Sequence, residues 1–142
     1  MKVCVASETN GGLNDMVSSV FGRCPAFTVV EIEDGEIKNV YVIPNPGAQA
    51  SGGAGIQAAQ LVVNEGCKAI ISSSIGPNSG EVFRMAGVRM LAAPGMRIED
   101  AIRAYMKGEL SEIVPHGGMG GGRGGRGMGR GRGMGRGMGR GW

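Results

Sequence analysis

The pattern of apolar positions in the first third of the chain predicts three β-strands. Residues 2–7 form a short, largely apolar run that is typical of a buried strand. Residues 26–33 and 36–43 are rich in β-branched side chains, and Asp34 and Gly35 separate them. Such a dipeptide favours a tight turn with two positive φ angles, so these two runs should pair as an antiparallel hairpin.

Helices and strands then alternate up to about residue 114. Residues 55–65 place Ile56, Ala59 and Val63 at helical spacing, ahead of a helix-ending Gly66. Strands are expected at 68–73 and 88–92, and a short helix at 77–86. A last helix ending at Gly108 is predicted by an apolar stripe formed by Ile98, Ala101, Ile102, Tyr105 and Met106.

This order of elements, β-β-β-α-β-α-β-α, predicts a three-layer α/β domain built on a mixed five-stranded sheet. Parallel strands need crossover connections, and those connections place helices on the faces of the sheet. Ligands of such sheets bind beyond the carboxyl ends of the strands. We therefore expect a functional site among four loops that should meet at that edge, namely residues 8–25, 44–53, 74–78 and 93–97.

Composition divides the chain into a domain, residues 1–114, and a tail, residues 115–142. The tail holds 15 of the 29 glycines and six arginines, without Asp, Glu or Lys, whereas the domain carries nine Lys and Arg against twelve Asp and Glu. The tail cannot bury a core, so we expect a disordered polycation attached to one acidic domain. Neither a membrane-spanning run nor a signal-peptide pattern is present, and a cytoplasmic protein is expected.

The three cysteines are too few and too widely spaced for a self-contained zinc or iron-sulfur site. Cys24 lies in the long loop between Arg23 and Pro25, so we expect an exposed sulfur with a lowered thiol pKa there. Cys4 should be a core side chain, whereas Cys67 suits either role. A bound cluster would have to be shared, held electrostatically or ligated by few residues.

The strand-to-helix segment 72–78 offers hydroxyl groups and free backbone N–H groups at a helix N-terminus, which suits either an anion site or an ordinary capped turn. The Gly-rich segment 53–58 does not directly follow a strand, so a dinucleotide site is disfavoured.

The sequence contains few residues that are suited to catalysis. The sole histidine, His116, lies in the tail, so a Ser-His or Cys-His arrangement would depend on that segment. The carboxylates Glu8, Asp15, Glu31 and Glu33 could bind a metal, but the last two alternate on a strand beside a turn and are typical of a solvated face. We therefore expect a protein without enzymatic activity.

The tail repeats the sequence Gly-Met-Gly-Arg three times. Its arginines can bind phosphate, carboxylate or other multivalent anions through charge-assisted hydrogen bonds, and they are Arg123, Arg126, Arg130, Arg132, Arg136 and Arg140. Arg-Gly segments suggest nucleic acid, but base stacking needs aromatic side chains and Trp142 is the only one in the tail. The methionine thioethers instead suit soft metals or metal-sulfide surfaces. The alternative interpretation is a flexible tail that only increases solubility.

Several segments of residues 1–114 together resemble the NifX and NifB C-terminal family, the dinitrogenase iron-molybdenum cofactor biosynthesis domain. They are MKVCVAS at residue 1, VFGRCP at 20, GAGIQAAQ at 53, IGPN at 75 and EDAIRAY at 99. The resemblance implies a ribonuclease H-like sheet without nuclease activity that binds or carries metal-sulfur clusters, iron-molybdenum cofactor precursors included.

The resemblance also implies which residues bind the cluster. Its binding face would be lined by Phe21, Gly22, Arg23, Gly76, Pro77 and Asn78. Relatives that use histidines in the loop after the hairpin have no counterpart in residues 45–51, which leaves Cys24 as the main candidate for a metal ligand. The tail is similar to that of archaeal members with cationic C-termini, one of which stores iron and sulfide as an anionic polymer.

The sequence thus favours a non-enzymatic carrier or storage protein for an anionic iron-sulfur or mixed metal-sulfide cluster, such as a thioferrate or an iron-molybdenum cofactor precursor. The tail arginines would neutralise this cargo. Cluster donor or acceptor proteins and self-association of the chain are further expected contacts. The alternative is a nucleic-acid-binding accessory protein that acts through its arginine-glycine tail, and a weak oxidoreductase using Cys24 ranks below both.

Overall fold

The computed structural model describes residues 1–49 and 53–113, where the chain forms an α/β fold with three α-helices and one mixed sheet. The strands are β1 Lys2–Ser7, β2 Ala26–Glu33, β3 Glu36–Pro44, β4 Cys67–Ser72, β5 Arg89–Ala92 and β6 Ser111–Glu112. The helices are α1 Ala54–Asn64, α2 Pro77–Ala86 and α3 Ile98–Met106, and a 3-10 turn covers Pro46–Gln49. The strands lie side by side in the order β3-β2-β1-β4-β5-β6.

The predicted hairpin is confirmed in β2 and β3. At its turn, Asp34 has φ 56° and Gly35 has φ 74°, the two left-handed residues that a two-residue hairpin turn requires. The paired strands run from Ala26 opposite Pro44 to Glu33 opposite Glu36. Because β2 is also antiparallel to β1, β3 runs in the same direction as β1 and ends at the same edge of the sheet.

Helices cover both faces of the sheet, as the order of elements predicts. β1 pairs in parallel with β4, and β4 pairs in parallel with β5, so the chain crosses over between them. One core layer contains Ala58 and Val62 of α1 together with Phe83 of α2. The other contains Ile98 and Ile102 of α3. The three-layer α/β prediction is confirmed, and its assignment to the ribonuclease H-like class stays a prediction.

The prediction of five strands is corrected by a sixth, β6. Ser111 and Glu112 pair antiparallel with Ala92 and Leu91 of β5. A two-residue polar segment has no apolar alternation that could reveal it in a sequence. The exposed ion pair of Glu112 with Arg89, at 3.1 Å, lies across the same pair of strands.

The face that α1 buries matches the predicted one only in part: Ala59 is buried and Val63 packs against the core, but Ile56 does not face it. The structure buries Ala54, Ala58, Ala59 and Val62, whereas the side chain of Ile56 is exposed. Small alanines allow α1 to approach the sheet and α2 closely, and this packing sets the rotation of the helix. Ile56 is thereby directed away from the core.

In the part of the chain that the structure describes, no helix combines the length and apolar character needed to cross a membrane. The predictions about the tail concern residues 115–142, which lie outside the described residues.

We expect Phe83→Ala to lower the free energy of unfolding by about 3–5 kcal/mol, because it removes a fully buried aromatic ring and leaves a cavity. The Phe83 ring packs edge-on against Phe21 at 5.2 Å between centroids. Denaturant unfolding of the full chain measures this change. The control is Met85→Ala on the same helix, where the side chain is 77% exposed and the change should stay within about 0.5 kcal/mol. Equal effects of the two substitutions would contradict the assigned core.

Candidate functional site

The described parts of the four loops predicted to meet at one edge of the sheet do so, and the long loop, residues 8–25, contacts each of the others. The N–H group of Asn45 donates to the carbonyl of Pro25 at 3.0 Å. The hydroxyl group of Ser74 donates to the carbonyl of Ser19 at 3.1 Å. The N–H group of Val17 donates to the carbonyl of Met96 at 2.9 Å. We call the surface formed by these loops the loop edge.

Asp15 organises the first half of the long loop. Its carboxylate accepts hydrogen bonds of 2.8–2.9 Å from the N–H groups of Thr9, Gly11 and Met16, and from the hydroxyl group of Thr9. Burial raises the pKa of this carboxyl group, but the four hydrogen bonds outweigh that effect and lower it below its usual value. Asp15 therefore holds the loop and is not available as one of a set of metal ligands.

Asn45 organises the second half of the loop and was missed in the sequence. It lies buried between the end of β3 and the 3-10 turn. Its side-chain amide donates to the carbonyl groups of Gly22 at 2.9 Å and Cys24 at 2.8 Å. The only signal in the sequence is an asparagine held between Pro44 and Pro46, where a strand must end. Asn45 thus positions the segment that the family resemblance assigns to cluster binding.

A cavity of about 250 Å³ opens at the loop edge, between the N-termini of α1 and α2. Its walls are formed by Phe21, Gly53, Ala54, Gly55, Ile56, Gly76, Pro77, Asn78 and Ser79. Four of the six residues predicted to line the binding face, Phe21, Gly76, Pro77 and Asn78, therefore do so. Gly53, Ala54, Gly55, Ile56 and Ser79 complete it. The first four belong to the family-like segment at 53, but the prediction did not assign them or Ser79 to the binding face.

Gly22 and Arg23 lie beside the cavity. A Cβ atom placed on Gly22, which has φ 103°, would lie 3.1 Å from the Cα atom of Gly55. The loop backbone therefore packs directly against the first turn of α1, and only a glycine fits this contact. The side chain of Arg23 is exposed at the same edge.

Both helices present uncapped N-termini to the cavity. The cap positions are Gly53 in α1 and Gly76 in α2, and neither helix has a side-chain cap. The first bonds within the helices are donated by Gln57 and Gly80. The N–H groups of residues 54–56 in α1, and of Asn78 and Ser79 in α2, have no hydrogen-bond partner among the described residues, and Pro77 has no N–H group. Two helix N-termini with free donors create a local positive potential that favours an anion.

Ser79 contributes a further donor to the same cavity. Its side chain is only 4% exposed, and its hydroxyl group has no hydrogen-bond partner in the described part of the chain. A Cβ atom placed on Gly55 would collide with this oxygen, so the glycine leaves room for it. A buried hydroxyl group without a partner in the protein is uncommon, and this one lines the cavity, so it is available to a molecule that enters the cavity.

The expectation of an exposed, acidic thiol at Cys24 is wrong. The side chain is 2% exposed and packs in the core layer that contains Phe21 and Phe27. Burial raises the thiol pKa to about 11, although hydrogen bonds from Ser7, Gly22 and Asn45 act in the opposite direction. The reason is tertiary: the amide of Asn45 holds the carbonyl group of Cys24 at 2.8 Å, and the side chain of Cys24 packs in the core. Its role as a metal ligand stays a prediction.

Cys4 and Cys67 lie in the same core layer as Cys24. Cys4 is a core side chain, as predicted, and Cys67, which the sequence left open, is buried as well. Burial raises the pKa of Cys4 well above its usual value. The neighbouring thiol of Cys4 lowers the pKa of Cys67. Within the described residues, no group of three or more His, Cys, Asp and Glu side chains could hold a metal ion.

The remaining predicted site residues are the six tail arginines and His116, and these lie outside the described residues. Among the candidate carboxylates, Glu33 is exposed at the end of β2. Glu8 accepts a hydrogen bond of 3.3 Å from the N–H group of Ser19. These contacts agree with the interpretation of the carboxylates as surface and loop residues.

Residues 1–108 match the protein family described as dinitrogenase iron-molybdenum cofactor. Two uncharacterized proteins of Methanocaldococcus jannaschii are similar to this chain. One is 38% identical over 99 residues, which cover 70% of this chain and 84% of that protein. The other is 30% identical over 113 residues, which cover 80% of this chain and 94% of that protein.

Solved structures share this fold. A Thermotoga protein named as a NifB candidate has a TM-score of 0.67 and 31% identity, with 84% of this chain and 98% of that chain covered. The apo form of the orange protein from Desulfovibrio gigas has a TM-score of 0.73 and 24% identity, with 80% and 93% covered. The second likeness is one of fold alone. The family match includes the loop edge and both helix N-termini of the cavity.

The burial of Cys24 predicts a loss of stability in alkaline solution. Below pH 9, its usual pKa, the thiol is neutral in both the folded and the unfolded chain. Between pH 9 and 11 the unfolded chain releases this proton and the folded chain does not. The free energy of unfolding should therefore fall, at most by about 1.4 kcal/mol per pH unit for this group.

Denaturant unfolding from pH 8 to 11 measures this dependence. The matched variant is Cys24→Ala, which keeps all other titrating groups and should show a shallower decline. An identical decline in both proteins would contradict a buried, neutral Cys24.

Proposed function

Because the chain belongs to the dinitrogenase iron-molybdenum cofactor family, we propose that it binds an anionic iron-sulfur or iron-molybdenum-type cluster for carriage or storage, without catalysing a reaction. The observation that carries this proposal is the cavity at the loop edge, where two uncapped helix N-termini and the buried hydroxyl group of Ser79 converge.

The donors of the cavity suit a metal-sulfide anion. Terminal sulfides and oxides of such clusters accept hydrogen bonds but donate none. The backbone N–H groups at the two helix N-termini and the hydroxyl group of Ser79 can donate hydrogen bonds to such acceptors. Phe21 forms an apolar wall that is itself held by Phe27 and Phe83, at 5.5 and 5.2 Å between ring centroids. Such a wall excludes water and strengthens the electrostatic attraction.

Anchoring in this proposal depends on charge and hydrogen bonds rather than on cysteine ligation. Cys24 is neutral and packed in the core, so it would have to leave that position to bind a metal. The exposed Arg23 at the same edge adds positive charge. The arginine-rich tail would neutralise the outer face of the cargo, which fits the charge of −3 on the domain and +6 on the tail.

The absence of catalysis in this proposal is supported by the side chains that line the cavity. They are phenylalanine, alanine, isoleucine, proline, asparagine and serine, together with glycines, and none of them titrates near neutral pH. Acid-base catalysis needs a group that exchanges protons at working pH. The lining therefore suits retention of a ligand.

The sharpest test introduces a carboxylate at the N-terminus of α2. Gly76 has φ −75° and ψ 172°, an ordinary N-cap conformation, and a Cβ atom there would meet nothing within 4 Å. Gly76→Asp should therefore leave the fold intact or stabilise α2. The new charge should repel an anionic cluster and weaken its binding by about 10- to 100-fold.

The measurement is anaerobic reconstitution of the full chain with iron and sulfide, followed by metal and sulfide analysis and absorbance. Gly76→Asn is the matched control, because it adds the same cap without a charge and should lose less. Equal binding by the Asp variant and the natural chain would place the cluster elsewhere. If neither the natural chain nor either variant retains iron and sulfide, the proposed function is wrong.

A second candidate function is nucleic-acid binding, which the six arginines and fifteen glycines of the tail favour. Its affinity for single-stranded RNA should then fall steeply as salt rises, because binding releases counterions. Fluorescence anisotropy between 50 and 200 mM salt measures this. Loss of the tail should abolish that binding, whereas Gly76→Asp should leave it unchanged. A chain that retains no RNA at low salt would exclude the candidate.

A further inference from the structure

A second cavity, which has no part in the proposed function, lies at the edge of the sheet opposite to the loop edge. Its volume is about 460 Å³, and it is lined by Ile32 at the end of β2, Gly35 of the hairpin turn, Arg89 at the start of β5 and residues 105–108 at the end of α3. Because β2 is antiparallel to β1 and β5 runs parallel to β4 and β1, these positions meet where the parallel strands begin. We call this space the α3 cavity.

Backbone hydrogen bonds hold the walls of the α3 cavity in place. The N–H group of Ile32 donates to the carbonyl of Met1 at 2.8 Å, which keeps Met1 in the lining. At the end of α3, the N–H groups of Gly108 and Glu109 donate to the carbonyls of Tyr105 and Ala104 at 3.0 and 2.9 Å. Because this closing turn occupies the last carbonyl groups of the helix, they do not repel an anion that enters the cavity.

The walls of the α3 cavity are largely apolar. Ile32, Tyr105 and Met106 belong to the core layer beneath α3 or pack against it. A smaller cavity of about 30 Å³ adjoins this space, shares Arg89 and Tyr105 with it, and reaches the buried side chain of Leu91. Thioethers such as those of Met1 and Met106 make favourable contacts with aromatic rings, as does a second ring such as that of Tyr105. The walls therefore suit the flat apolar body of an aromatic molecule.

The charged side chains of the α3 cavity are both basic. They are Arg89 and Lys107, and among the described residues no acidic side chain lines the cavity. Lys107 is exposed and forms no ion pair within the described part of the chain. Arg89 binds Glu112 through Nε and Nη2, at 3.2 and 3.1 Å, which leaves the Nη1 group outside these bonds. A guanidinium and an ammonium group at one mouth favour the acidic group of a ligand.

We propose that the α3 cavity binds a small aromatic anion, namely a planar ring that carries a carboxylate, sulfonate or phosphate group. The ring contacts the apolar walls, and the acidic group reaches Lys107 and Arg89 at the mouth. Small-molecule sites have volumes of about 300–1,000 Å³ and combine apolar walls with a few polar groups, and this cavity has both properties. It lies at the opposite edge and on the opposite face of the sheet from the first cavity, so its ligand binds independently of a cluster.

The experiment titrates the full chain with 8-anilinonaphthalene-1-sulfonate, an aromatic anion whose fluorescence rises in apolar surroundings. We expect one saturable site. Amide signals in ¹H–¹⁵N NMR spectra locate it, and those of Ile32, Gly35 and Gly108 should shift on binding. A dye that leaves these signals unchanged, for example because it binds only the tail arginines, would overturn the proposal.

Lys107→Glu tests the charge at the mouth of the cavity. It should weaken binding of the anionic dye by about 10-fold, because attraction is replaced by repulsion. N-phenyl-1-naphthylamine, which is the same dye without the sulfonate group, should bind the natural chain and this variant equally. The matched control is Arg84→Glu, which changes the net charge by the same amount at an exposed position of α2 on the other face of the sheet. No loss in Lys107→Glu, or an equal loss in Arg84→Glu, would contradict the assigned site.

Tyr105→Ala tests the apolar walls and should weaken binding of both dyes by about 10-fold, because it removes the largest apolar side chain of the lining. If this variant does not fold, Met106→Ala tests the same wall. Phenyl phosphate and 1-naphthoate, added as competitors, distinguish a phosphate from a carboxylate as the acidic group. Failure of both to displace the dye would overturn the proposal.

Gly76→Asp separates this inference from the proposed function, because it alters the cavity at the loop edge and leaves the α3 cavity unchanged. It should bind the dye like the natural chain. A chain that retains the cluster but shows no dye at the α3 cavity would refute this inference alone. A chain that binds the dye there but retains no iron and sulfide would refute the proposed function alone.

Discussion

The direction of the strands is the constraint on which the rest of this structure depends. β3 and β4 run in the same direction, because β3 returns antiparallel to β2 and β4 pairs in parallel with β1. A helix that follows each of them must therefore begin at the same edge of the sheet. The N-termini of α1 and α2 meet there, and their free N–H groups surround one cavity.

Because glycine occupies both cap positions, the N–H groups at the two helix N-termini remain free to bind a ligand. A serine or aspartate cap would satisfy the helix N-terminus internally and leave little for a ligand. Gly53 and Gly76 carry no such group, and Ser79 remains without a partner among the described residues. The two helices are therefore less stable than capped ones, and an anion bound at their N-termini would supply the missing hydrogen bonds. Polar groups left unsatisfied at one shared position indicate binding more directly than any single residue does.

Burial removes the cysteines from the surface of the loop edge. Cys24 belongs to the long loop but its side chain packs in the core, so the anion binding that we propose needs no thiolate. Cys4 and Cys67 are buried in the same core layer.

The sequence by itself determined most of the fold. Apolar periodicity and the Asp34-Gly35 turn predicted three helices, five of the six strands and the edge where the loops meet, because these are local patterns with a fixed repeat. The family resemblance, rather than these patterns, pointed to Phe21, Gly76, Pro77 and Asn78, which line the cavity. Only the tertiary structure decided the rotation of α1, the pairing of β6 and the burial of Cys24. Each of these joins residues far apart in the chain, and no local pattern encodes a contact whose energy comes from packing between distant segments.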